Sequence, residues 1–275
     1  MTVLVFLLTA LIALGLAFAG LYFWARRVDN YGVVDVAWSY AFAGVAIFYA
    51  LVGQGWPWRR ALIAGLAAAW SLRLGTHLLR RVAGHHPVED GRYVQLRRDW
   101  AGNFAPKMFG FFQLQALSVV LLSLPFLWPA LNPAPQMHWL EWVGAALWLI
   151  ALSGEALADR QLASFKRNAA NRGQVCAVGL WRYSRHPNYF FEWLVWVGFF
   201  VFACASPWGW TAVIAPASIL YLLLRVTGIP LTEEQAVRSK GDAYRRYQQT
   251  TRAFVPWFPR RAASLPSAPS NLSHD

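Results

Sequence analysis

Residues 3–24 of the chain read VLVFLLTALIALGLAFAGLYFW and contain no charged side chain. An α-helix of this length extends about 33 Å, which is enough to cross the roughly 30 Å hydrocarbon core of a bilayer. No basic residue precedes the run, and a secretory signal has a shorter apolar core of about 7–15 residues. The stretch therefore predicts a retained membrane-spanning helix.

Similar apolar runs recur along the rest of the sequence. Hydrophobic residues make up 57% of the 275 residues and charged residues only 14%, against about 25% in soluble domains. We predict an all-α, polytopic membrane protein with about seven spans, at about 3–25, 34–52, 59–80, 108–130, 138–158, 187–206 and 209–226. The composition excludes a soluble enzyme and a disordered chain. Two cysteines, Cys176 and Cys204, predict neither a disulfide framework nor a metal site.

The net charge of +12 suggests nucleic-acid binding, but the positions of the basic residues favour a membrane explanation. With these spans, 22 of the 25 Lys and Arg residues fall on one side of the membrane and two on the other. Basic loops face the cytoplasm, so we predict an outside N-terminus, a cytoplasmic C-terminus and no nucleic-acid partner. Residues 263–275 are rich in Ser and Pro, which predicts a disordered tail.

Ionisable residues inside the predicted spans are the first candidates for function, because burying a charge in a membrane is costly. Each lies within about three turns of the predicted cytoplasmic end of its span, which predicts a polar cavity open to the cytoplasm. Interfacial snorkelling or structural ion pairing is the alternative. The set comprises Asp35, Arg73, His77, Glu155, Asp159, Glu192 and Arg225.

Two acids on one helix face precede a basic pair. Glu155 and Asp159 are four residues apart, and Lys166 and Arg167 follow on the continuing helix. This pattern could hold a polar, partly anionic ligand through its hydroxyls and phosphates, or it could be local salt bridging.

The strongest local signal is the segment Gly179–Trp193, GLWRYSRHPNYFFEW. Arg182, Arg185 and His186 stand just before Pro187, which suits the first turn of a helix. Free N–H groups and the helix dipole favour anions there, so the segment predicts a phosphate-binding site. Cytoplasmic anchoring with an aromatic belt is the alternative.

This segment resembles the signature of the steroid 5α-reductase-like membrane proteins. The similarity extends through VDVAW (34–38), WSLRLGTHLLRR (70–81), EDGRY (89–93), the stretch Gly154–Lys166 and the tail 233–259. Related methyltransferases share the Arg-His-Pro motif, but Asn188 directly after the proline and Glu192 one turn later favour a reductase. Relatives commonly have Gly in place of Phe191 and a Phe-Gly pair in place of Lys240–Gly241. The soluble dinucleotide fingerprint G-x-G-x-x-G is absent from the sequence.

The resemblance implies one transmembrane reductase domain over 1–262, with a substrate side in the N-terminal half and a cofactor-binding half over 108–262. The implied reaction is hydride transfer from NADPH to the β-carbon of a 3-oxo-Δ4 steroid or a similar lipophilic enone. The implied cofactor-binding residues are Glu155, Asp159, Lys166, Arg182, Tyr183, Arg185, His186, Asn188, Tyr189, Arg225, Glu233, Glu234, Tyr244 and Tyr247. Glu233 could instead cap a helix with Thr232.

For the substrate carbonyl, the resemblance implies an acid and a tyrosine, whose positions correspond here to Asp35 and His77. A protonated Asp35 and His77 would donate hydrogen bonds to the carbonyl oxygen, with Glu192 in reserve. An S-adenosylmethionine-dependent methyltransferase of a lipid or isoprenylcysteine-like substrate is the alternative, and a small transporter or lipid-binding protein is the third reading. The expected setting is a bacterial inner membrane, with a monomeric chain surrounded by membrane lipid.

Overall fold

The computed structural model describes residues 2–260, and all its regular elements are helical. The α-helices are α1 (Val3–Arg27), α2 (Val33–Val52), α3 (Pro57–His85), α4 (Gly91–Asp99), α5 (Phe104–Leu122), α6 (Leu124–Leu131), α7 (Trp139–Arg167), α8 (Pro187–Ala203), α9 (Ile214–Tyr221), α10 (Ile229–Lys240) and α11 (Asp242–Thr250). The tail predicted to be disordered, 263–275, lies outside the described residues.

Six segments are long and apolar enough to cross a membrane. They are Val3–Arg27, Val33–Val52, Pro57–His85, Ala101–Leu131, Trp139–Arg167 and Gly209–Lys240. The remaining predicted span, 187–206, corresponds to α8. This helix has 17 residues, three fewer than the shortest of the six segments. The all-α membrane architecture is therefore confirmed, whereas seven crossings and the sidedness stay predictions.

Several helices continue beyond the predicted spans. α3 ends at His85 rather than at 80, and α7 ends at Arg167 rather than at 158. A span predicted from hydropathy ends where charged residues begin. The helix itself continues until a residue interrupts its backbone hydrogen bonding. No Pro or Gly occurs between Gly154 and Gly173, so the α7 helix can extend past its apolar part.

Contacts divide the chain into two compact units, Met1–Leu149 with Val195–Ser218 and Ile150–Leu194 with Ile219–Asp275. Both units include pieces distant in sequence, because α7, α8 and α9 each begin in one unit and end in the other. The single reductase domain over 1–262, with its cofactor-binding half over 108–262, stays a prediction.

The first unit has an aromatic core and a close contact between α7 and α8. Phe42 packs against the rings of Trp70, Phe126 and Trp196, with ring centroids 5.3–6.4 Å apart. Phe199 packs against the same three rings at 4.9–6.2 Å. Two glycines, one on each helix, let the α7 and α8 backbones approach: a Cβ added at Gly144 would lie 2.5 Å from the Phe202 nitrogen, and one at Gly198 would lie 2.9 Å from the Trp148 nitrogen. Small residues at helix contacts are typical of membrane proteins.

Arg59, at the start of α3, forms a buried ion pair with Glu141 of α7. Their side chains are only 1% and 0% exposed. The remaining donors of the guanidinium reach the carbonyl oxygens of Asn132, Ala134 and Gln136 at 2.6–2.9 Å. One arginine thus fixes the 132–138 loop against α3. Counting charges by loop could not predict that this residue is buried.

Candidate functional site

In the second unit, the Gly179–Arg182 turn is attached to α7 by two hydrogen bonds. Gly179 has a φ of +56°, a left-handed conformation that glycine adopts without strain, and it begins a 3₁₀ turn up to Arg182. The Leu180 N–H donates to the Gln161 Oε1 at 2.9 Å, and the Trp181 indole N–H donates to the Ala158 carbonyl at 2.9 Å. The basic segment is therefore held in place before α8 begins.

The Arg-His pair before Pro187 converges on one carboxylate. Glu233 of α10 accepts from the Arg185 Nε at 2.6 Å, lies 3.1 Å from the His186 Nε2 and accepts from the Gln248 Nε2 at 2.9 Å. Arg185 also donates to the carbonyls of Gln248 and Thr251. Both basic residues, which the sequence assigned to cofactor phosphates, are thus engaged within the protein and attach the tail to the start of α8.

The two predicted tyrosines of the tail, Tyr244 and Tyr247, are also engaged in contacts within the protein. Tyr247 donates to the backbone carbonyls of Trp181 and Ser184, and its ring lies 5.8 Å from that of Tyr244. Burial is the main cause, and the charge of Glu233 a smaller one, that raises the pKa of Tyr244 to about 12. Burial also raises the pKa of Tyr247. Both phenols stay protonated. Glu234, the other acid of the pair, is exposed and pairs with Arg238 on its own helix.

The first turn of α8 also carries Asn188 and Tyr189. The Asn188 side-chain amide donates to the Asp159 Oδ1 of α7 at 3.3 Å. The Tyr189 ring stacks on His186 at 5.4 Å, and its hydroxyl lies 3.2 Å from the Thr232 Oγ1. The sequence predicted Asn188 and Asp159 as site residues, and the structure brings them together.

Three other predicted site residues lie close to Asn188 or Asp159 along the chain. Glu155 is buried one turn before Asp159 on α7, and Glu192 is half-buried one turn after Asn188 on α8. Tyr183 is half-buried, and its backbone carbonyl accepts from the Trp257 backbone N–H at 2.9 Å.

Three predicted cations of the second unit have exposed side chains. They are Lys166, Arg182 and Arg225. Arg225 lies in the π-helical turn Leu222–Val226, a type of irregularity that occurs often at functional sites. The sequence from Arg160 to His186 contains six Lys and Arg residues and neither Asp nor Glu. Each of these exposed cations can pair with an anionic group of a ligand.

In the first unit, the predicted carbonyl donor Asp35 is part of an ion-paired cluster. Its carboxylate accepts from the Arg92 Nη2 at 2.7 Å and from the Tyr93 hydroxyl at 2.8 Å. Asp90 and Arg81 extend the cluster through contacts of 3.2–3.3 Å. Asp35 accepts both hydrogen bonds, and its role as a donor to the substrate carbonyl stays a prediction.

His77 lies at the same end of the α2–α3 pair as Asp35. The two helices run antiparallel, with the Tyr40 and Thr76 hydroxyls 3.0 Å apart and the Ala43 N–H donating to the Ser71 Oγ at 3.1 Å. The His77 side chain is exposed.

Sequence reasoning missed Arg92 and Tyr93 as site residues. Both belong to the EDGRY segment that carried part of the resemblance, but their partner Asp35 is 57 and 58 positions away. Tyr93 is 2% exposed, and burial together with the Asp35 charge raises its pKa well above the usual range. Tyr93 is thus a protonated donor that fixes the orientation of Asp35.

We expect Tyr93→Phe to lower the free energy of unfolding by about 1.5 kcal/mol, because a buried hydrogen bond to a charged acceptor is lost. Thermal unfolding of the purified protein in detergent measures this change. Tyr40→Phe is the control, since its hydroxyl bonds to a neutral partner at 3.0 Å and should cost less. Equal losses of unfolding free energy in the two variants would contradict the interpretation that Tyr93 donates to a charged carboxylate.

Comparisons with known proteins match the chain to a family model and to a relative. The family model described as a protein of unknown function, DUF1295, matches residues 21–251. An uncharacterized protein of Schizosaccharomyces pombe is 29% identical, and the alignment covers 88% of this chain and 76% of the yeast protein. No solved structure matches the chain.

Proposed function

The chain belongs to the DUF1295 family, and we propose that it is an NADPH-dependent reductase of a lipophilic enone such as a 3-oxo-Δ4 steroid. The observation that carries the proposal is the Asn188–Asp159 contact at the start of α8, in a unit with exposed cations and an acid-free basic stretch. The family includes steroid 5α-reductase-like membrane proteins, which supports the same reaction class.

The second unit fits the chemical groups of NADPH. Its phosphates require cations, and Arg182, Lys166 and Arg225 have exposed side chains that can pair with them. The carboxamide of the nicotinamide requires a donor and an acceptor. Asn188 offers both, and Asp159 orients its amide. Arg185, His186 and Glu233 hold the tail rather than the phosphates.

When bound, NADPH supplies the hydride that is added to the β-carbon of the enone, and the neighbouring carbon then takes a proton. The protein must orient the substrate and stabilise the negative charge that develops on the carbonyl oxygen. We assign this task to Glu192, which lies one turn after Asn188 on α8 in the same unit. As a carboxylic acid it would donate a hydrogen bond to the oxygen.

The experiment that tests the proposal compares cofactors. Detergent-purified protein is mixed with NADPH, NADH or S-adenosylmethionine, with and without a Δ4-3-ketosteroid. Steroid-dependent loss of NADPH absorbance is the expected result. Tight S-adenosylmethionine binding without NADPH consumption would overturn the proposal and favour the methyltransferase alternative.

Asn188→Ala is expected to raise the KM for NADPH about tenfold, because one oriented hydrogen bond is worth about 1–1.5 kcal/mol. Initial rates at varied NADPH concentration measure the change. Asn168→Ala is the matched control, since Asn168 is an exposed asparagine of the same unit whose side chain bonds only to the nearby Ala170 N–H among the described contacts. An unchanged KM in Asn188→Ala would remove Asn188 from the site.

A further inference from the structure

The segment 251–260, which follows α11, is firmly attached and yet exposes large apolar side chains. The Ser184 hydroxyl contacts the Ala253 and Phe254 carbonyls at 3.2 and 2.8 Å, and the Arg185 N–H donates to the Arg252 carbonyl at 2.9 Å. The Phe254 ring packs 5.6 Å from Phe190. A segment held by so many contacts has a defined outer surface.

That outer surface is apolar. Val255 is 48% exposed, Trp257 56% and Phe258 73%. Exposed aromatic side chains grouped on one short segment indicate a surface that is covered by membrane lipid or by another molecule.

The charged residues in this part of the sequence are arginines. Arg252 lies over the Trp257 ring at 5.6 Å, and Arg260 is exposed at the end of the segment. The sequence from Ala243 to Arg260 contains four arginines and neither Asp nor Glu. Aromatic rings combined with basic residues are typical of the boundary between hydrocarbon and anionic headgroups.

The backbone of the segment suits that boundary as well. Pro256 and Pro259 have no N–H, and the N–H groups of Trp257 and Arg260 donate to the Tyr183 and Thr250 carbonyls, so four of the seven residues 254–260 present no free donor. Irregular backbone is excluded from the hydrocarbon core because its polar groups would be unsatisfied. A partly satisfied backbone with apolar side chains fits the headgroup level instead.

We propose that residues 254–260 form an interfacial anchor that docks on the anionic phospholipid surface of the membrane in which the chain is embedded. Trp257 and Phe258 enter the headgroup region, and Arg252 and Arg260 pair with lipid phosphates. The anchor is separate from the proposed reductase site, because it uses neither Asn188 nor the exposed cations assigned to the cofactor.

Fluorescence of the full-length chain tests the anchor. Phe258→Cys in a Cys176→Ala, Cys204→Ala background is labelled with a polarity-sensitive dye and reconstituted in phosphatidylcholine vesicles with or without phosphatidylglycerol. We expect a blue-shifted emission that a headgroup-level spin-labelled lipid quenches, more strongly with phosphatidylglycerol. Gln249→Cys is the control, since this exposed polar residue of α11 should stay in water.

Two results would overturn the anchor. One is a dye at position 258 as accessible to aqueous iodide as the dye at 249 in both vesicles. The other is energy transfer between copies that rises with protein density, which would identify a second chain as the occupant. If the cysteine-free background does not fold, the difference in brominated-lipid quenching between the natural chain and Trp257→Phe gives the same information.

Arg260→Gln separates the electrostatic part of the anchor from the apolar part. One arginine near an anionic surface changes the ratio of docked to undocked segment about fivefold. In phosphatidylglycerol vesicles we expect the variant to show a ratio of docked to undocked segment about fivefold lower than the natural chain. In phosphatidylcholine alone the two should have the same ratio. An unchanged lipid preference would contradict the proposed pairing with phosphates.

Discussion

Arg59→Met should lower the free energy of unfolding by about 3–5 kcal/mol, because it leaves the Glu141 carboxylate buried without its counter-ion. Both side chains are almost fully buried, so water cannot replace the lost partner. The variant also removes the donors to three carbonyls of the 132–138 loop. Unfolding of the purified protein in mixed micelles of increasing sodium dodecyl sulfate content measures the loss.

A surface pair of the same chemistry provides the matched control. The side chains of Arg238 and Glu234 form an ion pair but are 76% and 56% exposed. Arg238→Met should therefore cost less than about 1 kcal/mol. The double variant Arg59→Met, Glu141→Leu should recover part of the loss, since no unpaired charge remains. A loss below about 1 kcal/mol in Arg59→Met alone would show that the buried pair contributes no more than the surface pair.

The apolar runs were sufficient to predict an all-helical membrane fold, because a span needs only length and hydropathy. They could not predict where α3 and α7 end, since both helices continue through charged residues. They also could not distinguish Arg59 from Arg60: a charge count by loop treats them alike, and the difference is a partner 82 positions away.

The candidate site was predicted in the same partial way. Asn188 and Asp159 were each predicted as site residues, one from its position after a proline and one from an acidic helix face, and the structure brings them into contact. The ion pairing of Asp35 could not be predicted, because Arg92 and Tyr93 lie 57 and 58 positions away, beyond α3. Residue type shows which side chains can carry charge, but only tertiary contacts show which charges are already paired.

Glu233 and Glu234 illustrate this distinction and give the second large prediction. The sequence assigned both acids to cofactor binding. In the structure, the Glu233 side chain is 16% exposed and is contacted by Arg185, His186 and Gln248, whereas that of Glu234 is 56% exposed. Glu233 therefore joins α10 and α11 to the start of α8, the helix whose first turn carries Asn188.

Glu233→Gln should weaken NADPH binding about 100-fold, because loss of a charge-assisted contact that leaves the Arg185 guanidinium unpaired costs about 2–3 kcal/mol and disturbs the first turn of α8. Glu234→Gln should change binding less than twofold, since surface ion pairs contribute little. Titration of NADPH fluorescence measures both, and faster proteolysis near Gly241 should accompany the loss in Glu233→Gln. Equal effects of the two substitutions would indicate that the acids act on the cofactor directly. Weaker binding in Glu233→Gln alone, with faster proteolysis, would instead show that the tail acts through the orientation of Asn188.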